Sequence, residues 1–254
     1  MTFVSRLFKK LEQSFNIETP RGISNPEDGV GLKMIVYRTK TAMNDTQKKL
    51  IDATDTLLRE TGLAQATTRK IAKQAGVAEG LLYHHFKDKA ELIHEVVFHR
   101  LRHFHEALEN LPFLVGQHTV AENLTRVLEI AYDAQYRITP IVCGVFSDHQ
   151  LRTRIREIIR ERQLGPNRPI TILAAYLAAE QKLGRISSDI VPFSAAKLLL
   201  ASSFHGAMID QFMDSNIDRD EILLEIQETV RTVMAGLKPP VAQDVHKNQN
   251  RKPE

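Results

Sequence analysis

Residues 67–86, TTRKIAKQAGVAEGLLYHHF, constrain the fold of this chain more than any other stretch. Thr67 and Thr68 put hydroxyls at a helix start, and Ile71, Ala72 and Ala75 follow on one face at helical spacing. Gly76 supplies the left-handed backbone that ends this helix, and Val77 drops an apolar plug into the corner between two helices. The second helix begins at once. Leu82 and Phe86 are four apart and share its buried face, which leaves Glu79, Gly80, Leu81, Tyr83 and His84 turned outward. Helical corners of this kind are common, so the surroundings decide its meaning.

Those surroundings supply a brace on each side. Residues 46–61 carry Leu50, Ile51, Ala53, Thr54, Leu57 and Leu58 on one side, and Gly62 ends the run. After the corner, Lys87, Asp88 and Lys89 open a long helical stretch with Leu92, Ile93, Val96, Val97, Leu101, Phe104 and Leu108 in helical period. The absence of Trp and the sparse apolar–polar alternation argue against a sheet. The expected fold is therefore all-α. It comprises an N-terminal three-helix helix-turn-helix unit that fits a DNA major groove, and a C-terminal helical domain.

On T-T-R-K-I-A, A-G-V and L-Y-H-H-F-K-D-K, the chain resembles the TetR family of bacterial transcriptional regulators, specifically over residues 46 to about 95. The resemblance implies double-stranded DNA as partner, with Thr68 on a phosphate and Arg69 on a base. A guanidinium can donate twice to guanine, worth about 1–3 kcal/mol of discrimination. Tyr83, His84 and Lys89 fall on the family's backbone-gripping positions, with Gly80, Leu81 and Lys87 on the same presented side. Three residues depart from the family pattern. Ala78 stands where a serine often caps the second helix, which should cost that helix about 1 kcal/mol. Leu81 replaces a frequent threonine and can touch only a thymine methyl. Glu79 places a negative charge near the DNA backbone and is expected to lie at the rim.

The formal net charge of +3 says little, but its distribution says more. Residues 46–90 hold eight basic against five acidic residues, and residues 91–236 hold fifteen against nineteen. The single cysteine, Cys143, excludes an internal disulfide framework and fits a reducing cytoplasm. No apolar run approaches the roughly 20 residues that cross a bilayer, so no membrane partner is expected. The expected organisation is an extension over 1–43, a reading head over 44–104, a ligand-binding and dimerisation domain over 105–237, and a disordered tail over 238–254. Phe3, Val4, Leu7, Phe8, Leu11 and Phe15 form an apolar stripe with basic residues opposite, a pattern open to membrane-surface binding. The family's head starts near its N-terminus, so the extension reads instead as disordered or as the product of an upstream start codon. Met34 and Met43 are candidate true starts, with Lys33, Arg38 and Lys40 as a basic arm.

Within residues 105–237, Pro140 is expected to break one helix before another over 141–162. Helices follow near 169–183 and from Pro192. The segment 193–213 is apolar almost all round, so one side should face a core and the other a second copy of the chain. Ile222, Ile226, Val230, Val233 and Leu237 on the last helix are expected to add a second seam to this homodimer. The resemblance also implies a small-molecule effector among Tyr132, Tyr136, Phe146, His149, Tyr176, Phe204, His205 and Met208, residues that by themselves read as ordinary core. His99 and His103, with Glu95, His105 and Glu106 nearby, lack a third well-placed ligand, so no metal and no cofactor is assigned. Cys143 has neither a basic neighbour nor a resolving partner for redox sensing. No phosphate loop, nucleophile elbow or paired carboxylates appear, and no enzyme is expected. The reading is a homodimeric repressor released from a palindromic operator by its effector. The alternative is a non-catalytic helical ligand-binding protein with weak or lost DNA binding.

Overall fold

A computed structural model describes residues 43–162, 165–215 and 218–237. The expectations for residues 1–42 and for the tail 238–254 lie outside these. All regular structure among the described residues is helical: α1 (Asp45–Gln65), α2 (Thr68–Ala75), α3 (Glu79–His85), α4 (Lys89–Arg100), α5 (Arg102–Asn110), a 3₁₀ turn (Leu111–Leu114), α6 (Val120–Ser147), α7 (His149–Arg162), α8 (Arg168–Lys182), α9 (Pro192–Met213) and α10 (Arg219–Leu237). None of these helices is long and apolar enough to cross a membrane.

The chain ends its helices where its polar residues offer caps. Asn44 and Gln47 form a reciprocal capping box at α1, and Thr119 and Glu122 form another at α6. Asp88 accepts from the Glu91 amide at 2.8 Å to start α4. The six apolar-face residues expected on α1 are its buried residues, and Gly62, at φ +75°, takes the chain out of helical geometry three residues before Gln65. Gly184, at φ +71°, follows α8, and Pro192 opens α9 at a position where its missing N–H costs nothing.

Two apolar clusters organise these helices. The first gathers Leu50, Ile51, Leu57, Leu58, Ile71, Leu82, Phe86, Leu92, Ile93 and Val96 from α1–α4, together with Ile141 from α6, which is 2% exposed. The second joins Phe104, Leu108 and Leu111 to residues of α6, α8, α9 and α10. The apolar stripe after Lys89 thus serves two cores. The expected single helix is accordingly bent at Leu101, with backbone hydrogen bonds maintained on both sides of the bend.

Two further expectations are corrected. Pro140 does not end a helix: α6 runs on to Ser147, and the break falls at Asp148. Proline removes one ladder bond, but Ile141 beyond it is buried in the first core, and the Arg100 guanidinium donates to the Arg137 carbonyl beside the interruption. α10 turns its apolar seam inward. Ile226 and Val230 are buried in the second core, and Ile222 and Val233 pack against it. Its outward residues include Leu224 and the polar Gln227, Glu228 and Arg231, so the longer exposed apolar stripe, with Leu198, Ile209, Phe212 and Met213, lies on α9.

The helices of the first core are tied to α6 and α7 by close packing and by arginine. A Cβ on Gly144 would stand 2.8 Å from Leu63 Cδ2, so α6 approaches the end of α1 only because that position lacks a side chain. From α7, Arg154 Nε donates to Asp88 Oδ2 at 2.7 Å, and Arg162 donates to Glu91 at 2.6 Å and to Glu95. Burial works to raise the Asp88 carboxyl, but the hydrogen bonds from Arg154 and from the Glu91 amide outweigh it and hold it below its ordinary 3.8. Burial likewise opposes ionisation of Glu95, and His94 and Arg162 together hold it below 4.5. Depressed carboxylates stabilise the fold above their unfolded values, and that contribution disappears as pH falls through the folded ones. Arg162→Ala should therefore melt below wild type at pH about 7, with the gap closing toward pH about 3 as both forms become protonated. Denaturant melts at the two pH values measure this.

Candidate nucleic-acid interface

The corner between α2 and α3 is built by local backbone chemistry. Thr67 accepts from the Lys70 amide at 3.3 Å and starts α2. Gly76, at φ +68° and ψ +31°, ends it. The Val77 amide donates to the Ala72 carbonyl at 3.0 Å and the Gly76 amide to Lys73 at 3.2 Å, which is the paired bonding of a Schellman turn. The space around Gly76 is open, so the backbone angle and not crowding requires glycine there. Val77 is half-buried against the first core, as the plug should be.

α3 is held from behind. Leu82 is fully buried, Phe86 nearly so, and both belong to the first core. The opposite face is open: Tyr83 is 52% and Leu81 38% exposed, and Gly80 and His84 are exposed beside them. Nothing lies within 4 Å of where a Cβ on Gly80 would be, so another molecule can approach the backbone of α3 closely there. His84 stacks edge-on against His85 at 5.1 Å between ring centroids. Arg69 stands exposed at the start of α2, and Lys87 is exposed after α3. As Ala78 implies, no side chain caps α3.

Four of the groups at this corner, Lys89, Glu79, Thr68 and Tyr83, have partners within the chain. Lys89 Nζ donates to the Leu63 carbonyl at 3.1 Å, and burial pulls its pKa below the ordinary lysine value against the opposing charge of Asp148. It closes the frayed end of α1, with two further N–H donors on the ammonium. Glu79 is not an idle rim charge. Its Oε1 accepts from Thr68 Oγ1 at 2.7 Å, and Thr68 Oγ1 accepts in turn from the Tyr83 hydroxyl at 3.3 Å. Spacing could not reveal this chain, because the residues lie eleven and fifteen apart on two helices.

The eight residues considered for a ligand do not converge. Tyr132 and Tyr176 are core tyrosines with engaged hydroxyls, the first donating to Asp210 and the second accepting from Asn123 at 3.0 Å. Burial raises the pKa of both. Tyr136 packs beside Tyr132, with centroids 6.4 Å apart. Phe146 and His149 are exposed around the α6–α7 junction, while Phe204 and His205 are exposed and Met208 half-buried on α9. Of the eight, Tyr132 lines a small cleft between α6, α9 and α10, with Leu128, Ser203, Gly206, Ile222 and Glu225. The histidines are dispersed. His103 pairs with Glu106 at 3.1 Å on the surface, whereas His105 is buried beside Phe98 and Phe104. Burial, reinforced by the charge of Arg168, pushes His105 down to about 4. Among the described residues no group of three or more His, Cys, Asp or Glu is placed to hold a metal.

A seven-residue helix, braced from behind and presented by a glycine turn off a preceding helix, defines a helix-turn-helix protein. Residues 50–96 match the family model described as bacterial regulatory proteins, tetR family. The chain is 32% identical over 107 residues to the HTH-type transcriptional regulator BetI of Yersinia pestis (strain Pestoides F), a match covering 42% of this chain and 47% of that protein. The chain thus spans about half the length of its BetI relatives. It is 30% identical over 153 residues to the nucleoid occlusion factor SlmA of Aliivibrio fischeri (strain MJ11), covering 52% of this chain and 74% of that one. The chain belongs to the TetR family.

Solved structures repeat the fold. A putative TetR-family regulator from Mesorhizobium loti superposes with a TM-score of 0.61 at 17% identity, over 76% of this chain and 96% of its own. The regulator FadR from Bacillus subtilis, in complex with stearoyl-CoA, gives 0.56 at 20% identity, over 75% and 98%. An N-cap at position 78 should reinforce α3 without touching its outward face. Ala78→Ser is expected to stabilise the protein by about 1 kcal/mol, read as a higher melting temperature.

Proposed function

We propose that the protein is a homodimeric transcriptional repressor that binds a near-palindromic DNA operator through α2 and α3 and is released by a small-molecule effector. The observation that carries this reading is the outward face of α3, with Tyr83 half-exposed beside Arg69 and Lys87 and Leu82 locked behind. In this arrangement Arg69 reads a base edge, and Tyr83, His84, Lys87 and Lys89 hold the backbone, fixing register without reading sequence. Gly80 and Leu81 lie against the groove. The reading head comprises residues 44–104, and residues 105–237 form the sensing and pairing domain.

Pairing rests on α9. Leu198 is 65% and Phe212 83% exposed, and with Ile209 and Met213 they form an apolar stripe along one side of the helix. A two-fold partner covers the same stripe with its own, and its symmetry sets the heads near 34–36 Å apart, one turn of DNA or a multiple. The effector acts by preferring the arrangement in which the heads miss that spacing, a differential affinity of about 1–3 kcal/mol. Its pocket lies within α6–α10, with the Tyr132 cleft as the supporting feature. The protein carries out no catalysis and works in the cytoplasm, where its DNA is.

Gel shift against the DNA flanking the protein's own gene tests this reading. Arg69→Ala should weaken operator binding by about 1–3 kcal/mol and relax discrimination at one base pair. Tyr83→Ala should weaken binding across all sequences. A ligand-binding protein without DNA function would shift no flanking DNA and would be indifferent to both changes. Sedimentation tests the pairing separately: Phe212→Glu should convert a dimer to a monomer, and a wild type that is monomeric at every concentration would remove the two-head account.

A further inference from the structure

A threonine hydroxyl and a tyrosine hydroxyl each have one proton to donate. Thr68 donates its proton to Glu79 at 2.7 Å, the length of a charge-assisted bond, and Tyr83 directs its own toward Thr68 at 3.3 Å. Both donors are engaged within the protein, and the group that finally receives them is a half-buried carboxylate in the first turn of α3, on the flank between its buried face and Tyr83. Glu79 is half-buried and accepts from no other side chain in the described contacts, so this carboxylate occupies the place an incoming phosphate oxygen would take.

The geometry points to Glu79 as an internal stand-in for phosphate, a specificity-determining residue that penalises attachment to arbitrary DNA. Engaging a phosphate with Thr68 and Tyr83 requires exchanging one anionic acceptor for another and leaves the displaced carboxylate facing the DNA backbone. Arbitrary duplex offers only phosphates against that penalty. An operator adds the base-edge contacts of Arg69, which do not depend on the exchange. Glu79 therefore lowers non-specific affinity more than operator affinity and widens the ratio between them, the quantity that matters among many competing sites. This inference rests on the DNA-binding reading above.

The test compares full-length wild type, Glu79→Gln and Glu79→Ala on an operator duplex and on an unrelated duplex of equal length, at about 0.05 and about 0.2 M salt, with thermal melts of each protein. The variants should melt close to wild type and bind the unrelated duplex about three- to tenfold tighter, as expected for removing a like charge near phosphate. Operator binding should gain less, and the gain on both should shrink at the higher salt, where screening is shorter-ranged. Thr68→Val should lose several-fold more affinity in the Glu79→Ala background, where its hydroxyl is free to meet phosphate, than in the wild type. Unrelated-duplex affinity that is unchanged or weaker in both variants would overturn the proposal. So would a loss confined to one operator base pair, which would make Glu79 a reader of a cytosine amino group. If the wild type shifts no duplex at all, the DNA-binding reading fails and this proposal falls with it; if the wild type binds and the variants bind no tighter, this proposal fails alone.

Discussion

The burial of Leu82 and Phe86 is the contact on which the presented surface depends. A helix of seven residues is far too short to hold itself together in water, because nucleation is costly and few ladder bonds follow. α3 also lacks the side-chain cap that would contribute about 1 kcal/mol. Burying two large apolar side chains contributes about 1.5–3 kcal/mol each, enough to dominate both deficits. The same burial fixes rotation about the helix axis. With Leu82 and Phe86 inward, Tyr83 and His84 have nowhere to point but out, and the Schellman turn at Gly76 sets the angle at which they are offered.

Coupling of this head to the rest of the chain combines contacts of unequal weight. Ile141 sits in the head's core although it belongs to α6, and Gly144 lets α6 meet Leu63 without a gap. Tight apolar contacts of this kind transmit displacement, because a packed core resists compression. The arginine bridges from α7 to Asp88, Glu91 and Glu95 are partly exposed, and such pairs contribute at most about 1 kcal/mol each. Their role is directional: they fix which turn of α7 lies against α4. A shift of α6 or α7 on binding a small molecule would thus reach α4 and α1 directly, the physical requirement for any two-state control of the head.

α9 and α10 illustrate how a helix rich in apolar residues divides its faces. α9 meets α6, α8 and α10 and still carries Leu198, Ile209, Phe212 and Met213 in the open. α10 has fewer apolar residues and packs most of them against its own chain, with Leu224 left exposed. Surface economy explains the difference: one chain has only enough core to cover one side of α9, and a charged outer face on α10 limits indiscriminate sticking.

Features carried by short-range chemistry were legible in the residues alone. The six buried positions of α1, the Thr67 cap, the left-handed Gly76 and the inward pair Leu82 and Phe86 follow from helical period and from the few residues that tolerate or cap a turn. Length and pattern also placed the helices after Pro192 and before Gly184. Long-range contacts determined the remainder. Pro140 lies within a helix because its neighbours are anchored in a core assembled from α1–α4, and the stripe after Lys89 bends at Leu101 because it serves two cores. α10 faces inward because its own chain covers it first. The bonds from Glu79 to Thr68 and from Lys89 to Leu63 join residues eleven and twenty-six apart. Periodicity tells which side of a helix is apolar; only the packed chain determines what each side meets.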